Sequence, residues 1–270
     1  MINEIECKSI LNRSRIPGID YSINPYTGCQ HGCVYCYARF MTRYTKHHLA
    51  WGRFCDVKIN ALDVLRKQIA KSRKGLVSLS TVTDPYQSVE KKYELTRNIL
   101  IELAANGFPV SILTKSPLVL RDIDILKRFD SSDCEVGFSI ATVEETIRKH
   151  FEPGAPAISR RIESLHELHR NGIRTWLFIA PVLPHLTKRS LHELLDRIKD
   201  AVNYILVDTL NIKCGNWKGI STVLRADYPT LSSKWNDILF SHQKKEAYYE
   251  DVYGLIAEFC RAHALEVKCC

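Results

Sequence analysis

Short apolar runs alternate with amphipathic stretches along most of this 270-residue chain. Leu76–Ser80, Val110–Thr114, Val136–Ile140, Trp176–Ala180 and Tyr204–Val207 are brief and mostly rich in β-branched or aromatic residues, which predicts buried strands. Between them, Leu62, Leu65 and Ile69 share one helical face, as do Leu95, Ile99 and Leu103, then Ile158, Ile162 and Leu165, then Leu191, Leu194, Leu195 and Ile198. Val252, Leu255, Ile256 and Phe259 predict a last helix, and Leu265–Lys268 a short strand after it. Ser116-Pro117 predicts a helix start with proline in its first turn, and Thr142-x-x-Glu145 predicts a capping box.

Strand-then-helix units repeated in this way imply parallel strands joined by right-handed crossovers. A twisted open sheet and a barrel both satisfy the pattern, and both place ligands at the C-terminal ends of the strands. Four of those ends are polar: Thr81, Thr83 and Asp84; Thr114, Lys115 and Ser116; Ser139 and Thr142; Asp208 and Asn211. Singly, such residues cap turns; together they are the expected anatomy of a site.

A hydrophobic content of 45% with 25% charged residues excludes a disordered chain. No apolar run approaches the roughly 18 residues of a membrane span, and MINEIECKSI carries no apolar leader, so the expected setting is cytoplasmic. Ten cysteines in a reducing compartment point to metal, redox or catalytic chemistry rather than a disulfide scaffold. The net charge of +8 is a weak pointer to an anionic partner.

The densest signal is NPYTGCQHGCVYCYAR, Asn24 to Arg39, where Cys29, Cys33 and Cys36 have the spacing C-x3-C-x2-C. Three soft thiolates within eight residues select zinc or an iron–sulfur cluster. Zinc needs a fourth ligand, for which His31, His47 and His48 are candidates. A four-iron cluster held by three cysteines leaves one iron open for a cofactor or substrate.

This motif, with Tyr35 just before the third cysteine, resembles the signature of the radical S-adenosylmethionine (SAM) superfamily, and the fuller string resembles its spore photoproduct lyase-like branch. Further segments are similar to that branch in the same order: TDPYQ at Thr83–Gln87, LTKS at Leu113–Ser116, RDIDIL at Arg121–Leu126, FSI at Phe138–Ile140, EPGAP…RR at Glu152–Arg161 and IAPVLP at Ile179–Pro184. The resemblance runs from about residue 20 to 210. It implies an α/β fold: a partial (β/α)6 TIM-type barrel with a C-terminal helical extension. The implied organisation is an arm over 1–20, a core barrel over 21–210 and the extension over 211–270. It also implies a 4Fe-4S cluster on Cys29, Cys33 and Cys36, and SAM bound at the open iron. An electron from a donor such as a flavodoxin or ferredoxin then gives methionine and a 5′-deoxyadenosyl radical, which abstracts hydrogen from a substrate.

By the same resemblance, Thr83, Lys115 and Ser139 contact SAM; Arg160 is an additional candidate partner for its carboxylate, and Tyr35 with the backbone of Gly32–Val34 is placed to shield the cluster. One position departs from the branch. Where the photoproduct lyase has a hydrogen-donating cysteine, this chain has Thr81, whose O–H bond is too strong for that role. Photoproduct repair by that route is therefore not expected. Cys214, near the predicted barrel mouth, is a candidate hydrogen donor or second metal ligand, and Cys269 and Cys270 could join it in a second cluster.

From Tyr21 to Cys55 there is no acidic residue, and eight of the 25 aromatics lie there with Arg39, Arg43, Lys46 and Arg53. Bases interleaved with aromatics suit a nucleotide; equally, they can pack around a cluster and balance its charge. The favoured expectation is a radical SAM enzyme acting on a substrate related to nucleic acid. A peptide or small-molecule substrate is the alternative within the superfamily, and a zinc-bearing nucleic-acid-binding module without catalysis is the alternative outside it.

Overall fold

The computed structural model describes residues 1–269; expectations for Cys270 lie outside them. Among the described residues there are eleven strands: β1 (Ile2–Ile5), β2 (Asn12–Arg13), β3 (Tyr21–Ile23), β4 (Tyr26–Thr27), β5 (Cys55–Lys58), β6 (Val77–Leu79), β7 (Val110–Thr114), β8 (Cys134–Ser139), β9 (Arg174–Val182), β10 (Tyr204–Thr209) and β11 (Glu266–Cys269). Eight form one sheet in the order β11-β10-β9-β8-β7-β6-β3-β2. From β3 to β10 each strand lies parallel beside its successor in the sheet. A doubly wound sheet reverses strand order at a switch point; this one never does, which is barrel winding, left open at both edges. β11 extends it in parallel beside β10, and β2 closes the other side antiparallel.

All five strand-like runs are strands, and each segment of helical periodicity is a helix: Ala61–Ile69, Leu95–Ala105, Ile158–Arg170, Leu191–Ile198 and His242–Ala262. Their apolar faces and the strands share one core, in which Leu65, Ile99, Leu165, Leu194 and Ile256 are fully buried. The C-terminal stretch adds two more helices, Trp217–Asp227 and Pro229–Phe240. No helix among the described residues is long and apolar enough to cross a membrane.

Two local expectations meet different outcomes. Ser116 Oγ does accept the Leu118 N–H at 3.3 Å with Pro117 in the first turn, but the turn it opens is a 3-10 helix, Pro117–Asp122. The capping box does not form. Helix Glu145–Phe151 starts two residues later than the box requires, and the Thr142 hydroxyl accepts from Glu144 N instead. The Glu145 carboxylate is taken by Arg148 and by the Ile158 N–H.

A second sheet, β1-β5-β4, holds the loop that carries the cysteine triplet. Gly28, just past β4, has φ +90°, and a Cβ there would lie 2.6 Å from the Phe54 ring and carbonyl, so only glycine lets the loop lie this close to β5. On its other side the loop meets Gly154, where a Cβ would sit 2.2 Å from the Gln30 carbonyl oxygen. The Gly154 N–H donates to His31 O at 2.9 Å.

Candidate active site

A cavity of about 360 Å³ opens at the C-terminal ends of β6 to β10, under the cysteine loop. Cys29, Cys33 and Cys36 all line it. Burial raises all three thiols, Cys33 to about 12. Among the described residues no three His, Cys, Asp or Glu side chains are disposed to hold a metal ion. Three thiols lining one cavity are soft donors of the kind that hold zinc or an iron–sulfur cluster. The histidines proposed for zinc are occupied or remote. His31 is buried with Nε2 3.0 Å from Asp84 and Nδ1 3.3 Å from Gly154 O. His47 sits 3.2 Å from Asp56 and packs on Phe54, and His48 is exposed.

The strand ends supply the polar wall. Asp84 receives Thr114 Oγ1 at 2.7 Å and the Lys115 N–H at 2.8 Å. Its own burial favours the neutral acid, but His31 and these two donors together hold it down at about 2. Thr83 donates its hydroxyl to Gly28 O at 2.6 Å and accepts from Gln87 Nε2, so it pins the cysteine loop. Ser139 donates to Ala180 O at 2.9 Å and accepts from Lys115 Nζ at 2.8 Å. All three residues named for SAM by resemblance, Thr83, Lys115 and Ser139, therefore line the cavity, with both hydroxyls already engaged by protein.

Tyr35 also lines the cavity; it is buried and donates to Glu152 Oε1. Glu152 is the centre of a buried group. Arg161 meets it at 2.5 Å, Lys115 Nζ is 4.0 Å away, and Arg161 also donates to Ser139 O at 3.1 Å. Burial alone drives the Glu152 carboxyl upward, but Arg161 and Lys115, with the Tyr35 hydroxyl, overcome it and hold the group at about 2. Lys115 also lies over the Tyr35 ring, 5.9 Å from its centroid.

Arg160 is not part of this site. It is 65% exposed and pairs with Glu163 at 3.2 Å. Its neighbour Arg161 is the buried one, and the helical pattern contains the reason: Arg161 lies three residues after Ile158 and four before Leu165, on the apolar face, while Arg160 is turned about 100° away. Cys214 is half-buried and does not line the cavity. Cys269 is exposed in β11 and borders a different cavity. Asn216, which sequence reasoning missed, is fully buried and ties the site together, donating to Tyr35 O at 2.7 Å and Asn211 O at 2.8 Å. Of the basic stretch, Arg43, Lys46 and Arg53 are exposed, whereas Tyr37 and Trp51 line the cavity. The Tyr37 hydroxyl donates to Thr81 O.

Comparison with known proteins adds to this geometry. Residues 23–198 match the family described as the Radical SAM superfamily. An uncharacterised protein of Methanocaldococcus jannaschii is 38% identical over 228 residues, 84% of each chain. A "Radical SAM Nalpha-GlyT isomerase" of Pseudomonas phage M6 is 29% identical over 177 residues, 64% of this chain and 36% of that one. Among solved structures, spore photoproduct lyase complexed with a dinucleoside spore photoproduct superposes with a TM-score of 0.74 at 16% identity, over 100% of this chain and 82% of the other. At that identity the likeness is one of fold.

Proposed function

Because this chain belongs to the radical SAM superfamily, whose members use a 4Fe-4S cluster and SAM, we propose that Cys29, Cys33 and Cys36 hold that cluster and that the enzyme abstracts hydrogen from a nucleic-acid-related substrate. When bound, the two cofactors supply a 5′-deoxyadenosyl radical. The chain's own residues do the rest. Lys115 presents a cation at the rim for a carboxylate. Glu152 and Arg161 fix Lys115, Ser139 and Tyr35 in place, as preorganised charges buried beneath the rim. Tyr35 and Trp51 exclude water from the cysteine loop. The observation that carries the reading is the meeting of all three cysteines with Thr83, Lys115 and Ser139 on one cavity at the strand ends.

The substrate class is supported by the fold shared with spore photoproduct lyase, which was solved in complex with a dinucleoside spore photoproduct. Thr81 in place of a cysteine argues against photoproduct repair itself. Electrons would come from a flavodoxin- or ferredoxin-type donor. Iron and acid-labile sulfide per chain after anaerobic reconstitution test the cluster; four of each are expected. Zinc in their place would overturn the reading in favour of the binding module. Salt-dependent retention on single-stranded DNA tests the substrate class, and no retention even at low salt would remove it.

A further inference from the structure

Most polar atoms on the cavity wall are matched within the protein; the Ser80 hydroxyl and Trp51 Nε1 are not. Ser80 is about nine-tenths buried, lines the cavity, and its hydroxyl has no hydrogen-bond partner among the described residues. Thr83 and Ser139, by contrast, have spent their donor hydrogens on Gly28 and Ala180. A buried hydroxyl left unpaired costs about 1–3 kcal/mol, so its retention on a cavity wall calls for a partner from outside the chain.

Strand register shows where that partner sits. Leu79 of β6 pairs with Ile112 of β7, and Ile112 with Val136 of β8. Ser80 is one residue beyond this level, whereas Lys115 and Ser139 are each three beyond it. Two residues of strand correspond to about 7 Å. Ser80 therefore lies below the level of Lys115 and Ser139, beside the apolar Leu113 in the register, and Leu113 also lines the cavity. A buried hydroxyl free both to donate and to accept, beside the apolar Leu113, matches a flat ring or a ribose with a polar edge.

We propose that Ser80 is a ligand-contacting residue whose hydroxyl hydrogen-bonds a nucleoside in the cavity, either that of SAM or that of the substrate. This rests on the radical SAM reading, and the test keeps the two apart. Cluster-loaded wild type and Ser80→Ala are compared anaerobically for equilibrium binding of SAM, and then of the dinucleotide thymidylyl-thymidine with SAM present. Thermal unfolding of both proteins without ligand is measured alongside.

The expected result is a roughly five- to tenfold weakening in one of the two titrations, the net worth of one hydrogen bond. Weakened SAM binding assigns the cofactor's nucleoside; weakened dinucleotide binding alone assigns the substrate's. Without ligand, the Ser80→Ala protein is expected to unfold at the same or a higher temperature, since it loses an unpaired group. Unchanged binding in both titrations overturns the proposal, as does a fall of several degrees in the ligand-free midpoint, which would mean the hydroxyl is bonded within the protein. A wild type that binds no SAM overturns the radical SAM reading itself, and this inference with it.

Discussion

Two buried charge groups in this molecule use the same residue types to opposite ends. Behind the cavity, Glu90 is fully buried and meets Tyr26, Arg121 at 2.8 Å and the Thr96 N–H at 3.0 Å. At the cavity, Glu152 meets Tyr35, Arg161 and Lys115. Burial raises both carboxyls. In Glu152 the two cations and the Tyr35 hydroxyl reverse that rise. In Glu90 burial prevails over its hydrogen bonds, and the carboxyl stays raised. Arg121 also serves Asp122, at 2.7 Å, which itself pairs with Arg97. One group is a frame shared among many partners; the other concentrates positive charge on a single acid beside the cavity.

Removing the cation separates them most sharply. Arg161→Met leaves Glu152 buried with Lys115 4.0 Å away and is expected to cost about 3–5 kcal/mol in denaturant unfolding. Arg121→Met should cost less, because Asp122 keeps Arg97 and Glu90 keeps Tyr26 and backbone donors. Equal losses would break the comparison.

The pH dependence should carry opposite signs. The folded Glu152 carboxyl lies near 2 against 4.5 for the free group. Its stabilisation is present above pH 4.5 and lost as pH falls toward 2. It is on the order of 3 kcal/mol, and Glu152→Gln should remove it and flatten the acid limb of stability. The folded Glu90 carboxyl is raised. Its contribution is full below pH 4.5 and is lost as pH rises through the folded value, so Glu90→Gln should steepen the net loss toward acid. Stability curves of the two variants that bend the same way would contradict this account.

A smaller effect is expected at the hydroxyls. Thr83→Val removes the bond to Gly28 O and should cost about 1 kcal/mol. The smallest belongs to Arg160→Ala, which should leave stability within about 0.5 kcal/mol and SAM binding unchanged. Weakened SAM binding would restore the role expected of it from the sequence.

Arg160 and Arg161 show how much was legible in the sequence. The strands that read clearly were apolar and β-branched on both faces, as parallel buried strands must be. Tyr21–Ile23, Tyr26–Thr27 and Cys55–Lys58 did not read. They are two to four residues long, and their order comes from pairing rather than from local pattern. That the cysteines, Thr83, Lys115 and Ser139 line one cavity was legible because motif and strand end coincide. Arg161 was within reach, since a charge on an apolar helical face calls for a buried partner. Glu152 and Asn216 were not, because their partners are 117 and 181 residues away in Tyr35. Ser80 reads only as the last residue of the strand-like run Leu76–Ser80; the structure leaves its hydroxyl unpaired.

The central claim is that the cysteine triplet holds a cluster that cleaves SAM in this cavity. Its most direct test is 5′-deoxyadenosine formation by anaerobically reconstituted protein given SAM and dithionite, wild type against Cys33→Ala. The expected result is 5′-deoxyadenosine from the wild type and none above background from the variant. An unchanged yield from Cys33→Ala, or none from an iron-loaded wild type, would contradict it.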